Sequence, residues 1–270
     1  MDLIDSHAHI DFPQFDADRD AMLARARAVG VNTILAIGVG PGPEKLDAAI
    51  PYAEAHDWIY TTVGIHPHEA KDVAQTHLDT LARLAQHPKV IAWGEIGLDY
   101  FYDHSPRDTQ QRVFRDQMEL AHAAKLPLII HCRDAWSDCL DLLEQHWKPT
   151  GLGGVLHCFT STLEDARRGL DLGFLISFTG NLSFPKAQNI RDVAKELPLQ
   201  NILIETDSPY LAPQPFRGKR NEPAYVAEVA KALANVRNLG TEEIAAVTAG
   251  NFRRFFHLAQ PSASPVVAPR

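Results

Sequence analysis

Two histidines at alternate positions, His7 and His9, follow the short apolar run Leu3-Ile4-Asp5. Alternate residues of a strand share a face, so both imidazoles can grip one metal ion just past that run. The pair alone is thin ground, because the chain holds 13 histidines. More telling is where the other imidazoles and carboxylates fall. His66 and His68 stand in Gly64-Ile-His-Pro-His68, and Glu95 and Asp99 in Gly94-Glu-Ile-Gly-Leu-Asp-Tyr100. His131 and Arg133 stand in Ile130-His-Cys-Arg133, His157 in Leu156-His-Cys-Phe159, and Glu205 and Asp207 in Glu205-Thr-Asp-Ser-Pro209. Each group ends an apolar run. Burying so many of these side chains is costly without partners, and cations would supply partners to all of them together. The pattern assigns one divalent metal to His7, His9 and Asp207 and a second to His131 and His157. Glu95 lies between, one carboxylate oxygen to each. A hydrogen-bonded network of histidines and acids without ions is the competing reading.

Such residues need a frame that gathers several strand ends. Apolar runs rich in Val, Ile and Leu recur at 3–5, 33–37, 59–64, 90–94, 127–131, 154–157, 174–177 and 201–205. Between them, segments 18–29, 44–56, 76–86, 107–125, 135–146, 163–172 and 187–197 place apolar residues at helical spacing. Two more, 223–236 and 241–256, close the chain. Eight strands alternating with helices predict parallel pairing, right-handed crossovers and a closed (β/α)8 TIM barrel. An open doubly wound sheet is disfavoured, since no Gly-rich nucleotide fingerprint is present. The barrel is expected to be a single domain over 1–258. The tail 259–270, rich in Pro, Ser and Ala, has little to bury and is expected to be disordered.

A formal net charge of −8 excludes a generic polyanion binder with a basic face. Three cysteines, Cys132, Cys139 and Cys158, cannot all pair, and they read as small buried apolar residues of a reduced, cytoplasmic protein. No run is long enough for a membrane span, and the acidic start is no signal peptide. A monomer without membrane contacts is expected.

The phrases quoted above, together with Asp5-Ser-His-Ala-His-Ile-Asp11, His131-Cys-Arg-Asp134 and Arg217-Gly-Lys-Arg-Asn-Glu-Pro223, resemble the TatD family of metal-dependent DNases. That family lies within the amidohydrolase-like superfamily, and the likeness runs from about Asp2 to about Phe256; the tail after Leu258 carries no family motif. The resemblance implies the barrel, two divalent metals, the ligand set His7, His9, Glu95, His131, His157 and Asp207, and 3′-to-5′ hydrolysis of DNA phosphodiesters. Two cations would activate a water and neutralise phosphoryl charge. Asp207 is the expected general base, and a protonated His66 the group that stabilises the leaving oxygen. Arg133 is read either as a phosphate clamp or as an ion-pair partner of Asp99. Asp99 is read as orienting His66 or Arg133, or as a helix cap. Arg220 and Asn221, in the loop after strand eight, reach a second phosphate or the sugar, or belong to a plain surface loop. Glu205 and Asp5 are expected to hydrogen-bond ligating histidines. Tyr100, Phe101 and Tyr102 either stack on an exposed base or pack. Imidazole mixed with carboxylate suits Zn, Mn, Fe or Co, and Mg less well as resident ion. The expected partner is a single-stranded or frayed end of DNA or RNA. Hydrolysis of a C–N or carboxylic ester bond, aminoacyl-RNA included, is the runner-up, and a non-catalytic metal-binding scaffold the third reading.

Overall fold

The computed structural model describes residues 1–40 and 42–259. The expected disordered tail, Ala259 apart, therefore lies outside the described residues. Eight Val/Ile/Leu-rich segments, buried on both faces, make the strands: β1 Leu3–Ala8, β2 Val31–Ala36, β3 Ile59–Val63, β4 Val90–Asp99, β5 Leu128–Arg133, β6 Gly154–Leu156, β7 Phe174–Phe178 and β8 Ile202–Ile204. They pair parallel in chain order. The seam between β8 and β1 closes just past the end of β8. There Asp207 N–H donates to His7 O at 2.9 Å, His9 N–H donates to Ser208 O at 2.8 Å, and Ala8 bridges Ser208. Asp5 stitches the same seam, accepting from Thr206 N at 2.9 Å and Thr206 Oγ1 at 2.6 Å. The sheet is a closed TIM barrel.

Helices α1 Arg19–Ala28, α2 Ile50–Ala55, α3 Gln75–Leu84, α4 Arg107–Ala124, α5 Trp136–Leu142, α6 Leu163–Asp171, α7 Gln188–Glu196 and α8 Val226–Arg237 follow the strands, and α9 Thr241–Phe255 ends the fold. The helix predicted over 44–56 is shorter, because Pro51 is tolerated only in a first turn. β4 is five residues longer than expected and carries Glu95 and Asp99 within the strand.

Inside the barrel, the apolar side chains of Ile4, Leu35, Ala92, Ile129, Val155, Leu175 and Leu203 form one layer against Ala249, Phe252 and Phe256. α9 thus plugs the N-terminal end. Two residues further along five of these strands, on the same face, stand Ser6, His131, His157, Ser177 and Glu205. Strand alternation turns the interior from apolar to polar within one step, at the end where barrel enzymes carry their active sites.

Candidate metal centre

A cavity of about 940 Å³ opens at this C-terminal end, with His9, His66, Glu95, His131, His157 and Asp207 in its wall. The buried Glu95 carboxylate sits at its centre. Oε2 lies 3.3 Å from His7 Nε2 and 3.7 Å from His9 Nε2. Oε1 lies 2.9 Å from His131 Nδ1 and 3.3 Å from His157 Nε2. Asp207 Oδ1 completes the first group, 3.8 Å from His7 Nε2 and 3.5 Å from His9 Nε2, and the two imidazole nitrogens are 3.3 Å apart.

These separations discriminate between ion-free network and metal site. A neutral imidazole has one N–H, yet His7 Nε2 and His9 Nε2 each face three other ligand atoms within 3.8 Å. Hydrogen bonding satisfies only a fraction of those approaches. Ligands set tetrahedrally at roughly 2.0–2.1 Å from a cation stand about 3.3–3.4 Å from one another, close to what is seen. The second group shows the hydrogen bonds that hold metal-ligating histidines in other proteins. His157 Nδ1 is 2.9 Å from Glu205 Oε1, and His131 Nε2 is 3.0 Å from Asp99 Oδ2, leaving His157 Nε2 and His131 Nδ1 turned toward Glu95. The residues fit divalent cations.

Burial works against charge here, but the neighbours win. Histidines 157, 7 and 131 hold the Glu95 carboxyl well below the usual range. Despite burial, Glu205 and Glu95 push His157 up to about 10. Asp207 too is held low against burial, chiefly by His9 and His157, so the acids are ionised and available to a cation.

The family model described as TatD related DNase matches residues 4–257. The chain belongs to the TatD family. It is 41% identical to the metal-dependent hydrolase YabD of Bacillus subtilis, over 95% of this chain and 99% of that one. It is 36% identical to the 3′-5′ ssDNA/RNA exonuclease TatD of Cronobacter turicensis, over 94% and 97%. The crystal structure of YjjV, a TatD homolog from Escherichia coli K12, superposes with a TM-score of 0.89 at 33% identity, covering 95% of this chain and 98% of that one. The protein is a metal-dependent hydrolase of the TatD family, with histidine and carboxylate clusters able to hold metal.

Several expected roles change in this TatD-family hydrolase. Asp99 orients neither His66 nor Arg133, and it caps no helix. Its Oδ2 faces His131 and His68 Nε2, the latter at 2.9 Å, while Oδ1 accepts from the N–H groups of Phe101 and Tyr102. Arg133 pairs with no carboxylate among the described residues. Its guanidinium lies over the rings of Phe101 and Tyr102, 3.9 and 4.7 Å from their centroids, and Arg133 lines the cavity. Arg220 is withdrawn from the cavity: it forks onto Asp18 at 2.7 and 2.9 Å and lies over Phe15. Asn221 is buried, donates to the carbonyls of Thr206 and Tyr210, and accepts from Glu222 N–H, which fixes the loop after β8. Both residues hold that loop to the barrel and to α1. Asp5 bonds Thr206 rather than an imidazole, whereas Glu205 meets His157 as expected. Tyr100 packs, its hydroxyl donating to Asp138 at 2.8 Å. Cys158, with a positive φ of 45° two residues past β6, lies in the cavity wall.

Two further residues carry no role in the sequence reading. Asn181, 6% exposed, lines the cavity with Oδ1 unpartnered among the described residues. Asp11 has both carboxylate oxygens buried and, among the described residues, unpartnered. Their signal in the sequence is position alone, just beyond strand ends.

Proposed function

We propose that the chain hydrolyses phosphodiester bonds at single-stranded ends of DNA or RNA, 3′ to 5′, around two divalent cations. His7, His9, Asp207 and Glu95 Oε2 would hold one, and His131, His157 and Glu95 Oε1 the other. The observation that carries this reading is Glu95, whose two oxygens face two separate histidine groups. The relative named as an exonuclease supports the substrate class.

Divalent cations in such a pair make water a nucleophile near neutral pH and offset charge on phosphoryl oxygens. The protein's own groups do the rest. Asp207, ionised and lining the cavity, takes the proton of the attacking water. Arg133 forks onto phosphoryl oxygens with donors that no acid occupies. Asn181 offers its carboxamide to the substrate. As the new P–O bond forms, the P–O bond to the departing sugar breaks, and His66 donates a hydrogen bond from Nε2 to that oxygen, which leaves carrying a proton from solvent. Free thiols at Cys132, Cys139 and Cys158 suit a reducing cytoplasm.

With Arg220 and Asn221 withdrawn, one guanidinium remains for phosphate. That observation keeps a second reading, a carboxylic ester at an RNA end. The deciding experiment incubates metal-loaded protein with 3′- and 5′-labelled oligonucleotides and, separately, with aminoacyl-RNA. A ladder shortening from the 3′ end is expected with Mn²⁺, Zn²⁺ or Mg²⁺. Glu95→Ala and Asp207→Asn should each lower the rate at least about 10²-fold with unchanged circular dichroism. Wild-type rates in either variant, or deacylation without any ladder, would overturn the proposal.

A further inference from the structure

We infer that the strand end is gripped mainly by stacking of its unpaired bases on two opposed aromatic rims, and only secondarily by charge. This deepens the nucleic-acid reading above and rests on it. Among the described residues five large apolar side chains are exposed; Tyr102 and Tyr210 line this one mouth, and Phe101 lies under the guanidinium of Arg133, which also lines it. Each ring is about half exposed, at 49%, 49% and 53% in that order. Phe101 and Tyr102 follow β4, and Tyr210 follows β8, four strands away around an eight-stranded barrel. The two rims therefore face each other across Glu95.

Neighbouring rings pack against both rims. Tyr210 packs edge-to-face near His9 and Phe12, with centroids 6.3 and 6.4 Å away. Across the mouth, Arg133 spans Phe101 and Tyr102, and Tyr102 lies parallel to His104 within 6°. A half-exposed ring already packed on one side leaves a surface on which a base can settle, and every base has a stacking face.

Beyond the phosphate that the cations would hold, charged side chains add little to the grip. Arg133 is the one Lys or Arg in the cavity wall among the described residues, against Glu69, Glu95, Asp99, Asp134 and Asp207. Each phosphate neutralised by a protein cation contributes a salt slope of roughly −0.7 for single strands. A single Arg contact makes binding nearly salt-tolerant, and bases then carry the affinity. Duplex DNA hides its base faces in the stack, so an unpaired end is the form that fits.

The test is equilibrium binding by fluorescence anisotropy, using metal-loaded protein and an octathymidylate whose 3′-terminal linkage is a slowly cleaved phosphorothioate. Removing the 3′-terminal base as an abasic site should weaken binding about 5- to 150-fold. In Tyr210→Ala, binding of the intact strand should weaken in the same range, and base removal should then matter less than in wild type; Tyr210→Phe should restore the wild-type pattern. The slope of log Kd against log salt should stay near 1 in magnitude. Equal affinity for intact and abasic ends, or a slope of 3 or more, overturns the inference whatever the cleavage assay shows. A base-dependent grip without cleavage of an all-phosphodiester strand upholds it and removes the exonuclease reading instead.

Discussion

The tautomer of His66 decides what that residue can do. The backbone N–H of His68 donates to His66 Nδ1 at 3.2 Å, so the neutral ring carries its hydrogen on Nε2. A ring fixed in that way cannot offer Nε2 as a lone-pair ligand, which removes His66 from the nearby group of His66, His68 and His131 as a third metal site. It also corrects the expectation of a protonated His66. Burial first, then the neighbouring His131, drives its pKa well below that of a free imidazole. The sign follows: the folded ring stays neutral as pH rises from 6. The unfolded ring gains a proton near pH 6.5 whereas the folded one does not, so this residue disfavours the fold as pH falls below about 6.5. Accordingly, wild-type kcat/KM should not decline through His66 between pH 6 and 8. His66→Ala should lower it by about 10²-fold at every pH in that window. A falling limb in the wild type that disappears in the variant would show that an imidazolium is required.

At the scale of elements, β4 is the strand that builds the site, and glycine lets it do so. A Cβ at Gly97, where φ is +140°, would overlap the carbonyl oxygen of His131 on β5. Gly64 and Gly94 meet so closely that a Cβ on the first would stand 2.8 Å from the second's carbonyl carbon. Gly97→Ala should therefore cost about 1–3 kcal/mol in thermal unfolding. It should also lower activity measured well below the melting point, because His131 must shift with its backbone. A melting temperature unchanged from wild type would show that β4 and β5 have room to spare. Strand alternation made much of this legible in advance, since His131, His157 and Glu205 each lie two residues beyond an inward apolar side chain. Where the sequence misled, the deciding partner was remote in the chain. Arg220 is spent on Asp18, Asn221 on Thr206 and Asp99 on His68, and no local pattern encodes those pairings. Pro51, by contrast, was a local signal for the shorter α2.

Taken as a whole, the molecule separates its stability from its chemistry along the barrel axis. The N-terminal end is closed by Phe252 and Phe256 against an apolar layer, and α9 is tied to the chain start by Arg253, which forks onto Asp2 at 2.6 and 2.7 Å. The other end gathers the histidines and acids. Between them stand the apolar layer itself and the hydrogen-bonded Ser6, Ser177 and Glu205. Phe252→Ala should leave a cavity costing about 3–5 kcal/mol, with kcat/KM near wild type at temperatures where the variant is folded. Chelation should abolish turnover while circular dichroism persists at 25 °C. It should lower stability by the linkage term, about 2.7 kcal/mol for a cation present at 100 times its Kd. Perturbations that share no partner across two packed layers should add within about 0.5 kcal/mol. Denaturant unfolding of wild type and Phe252→Ala, each with and without chelator, measures that sum. A shortfall or excess of 1 kcal/mol or more would mean that the plug at one end and the cation cluster at the other are energetically joined, and that α9 acts on the chemistry as well as on the fold.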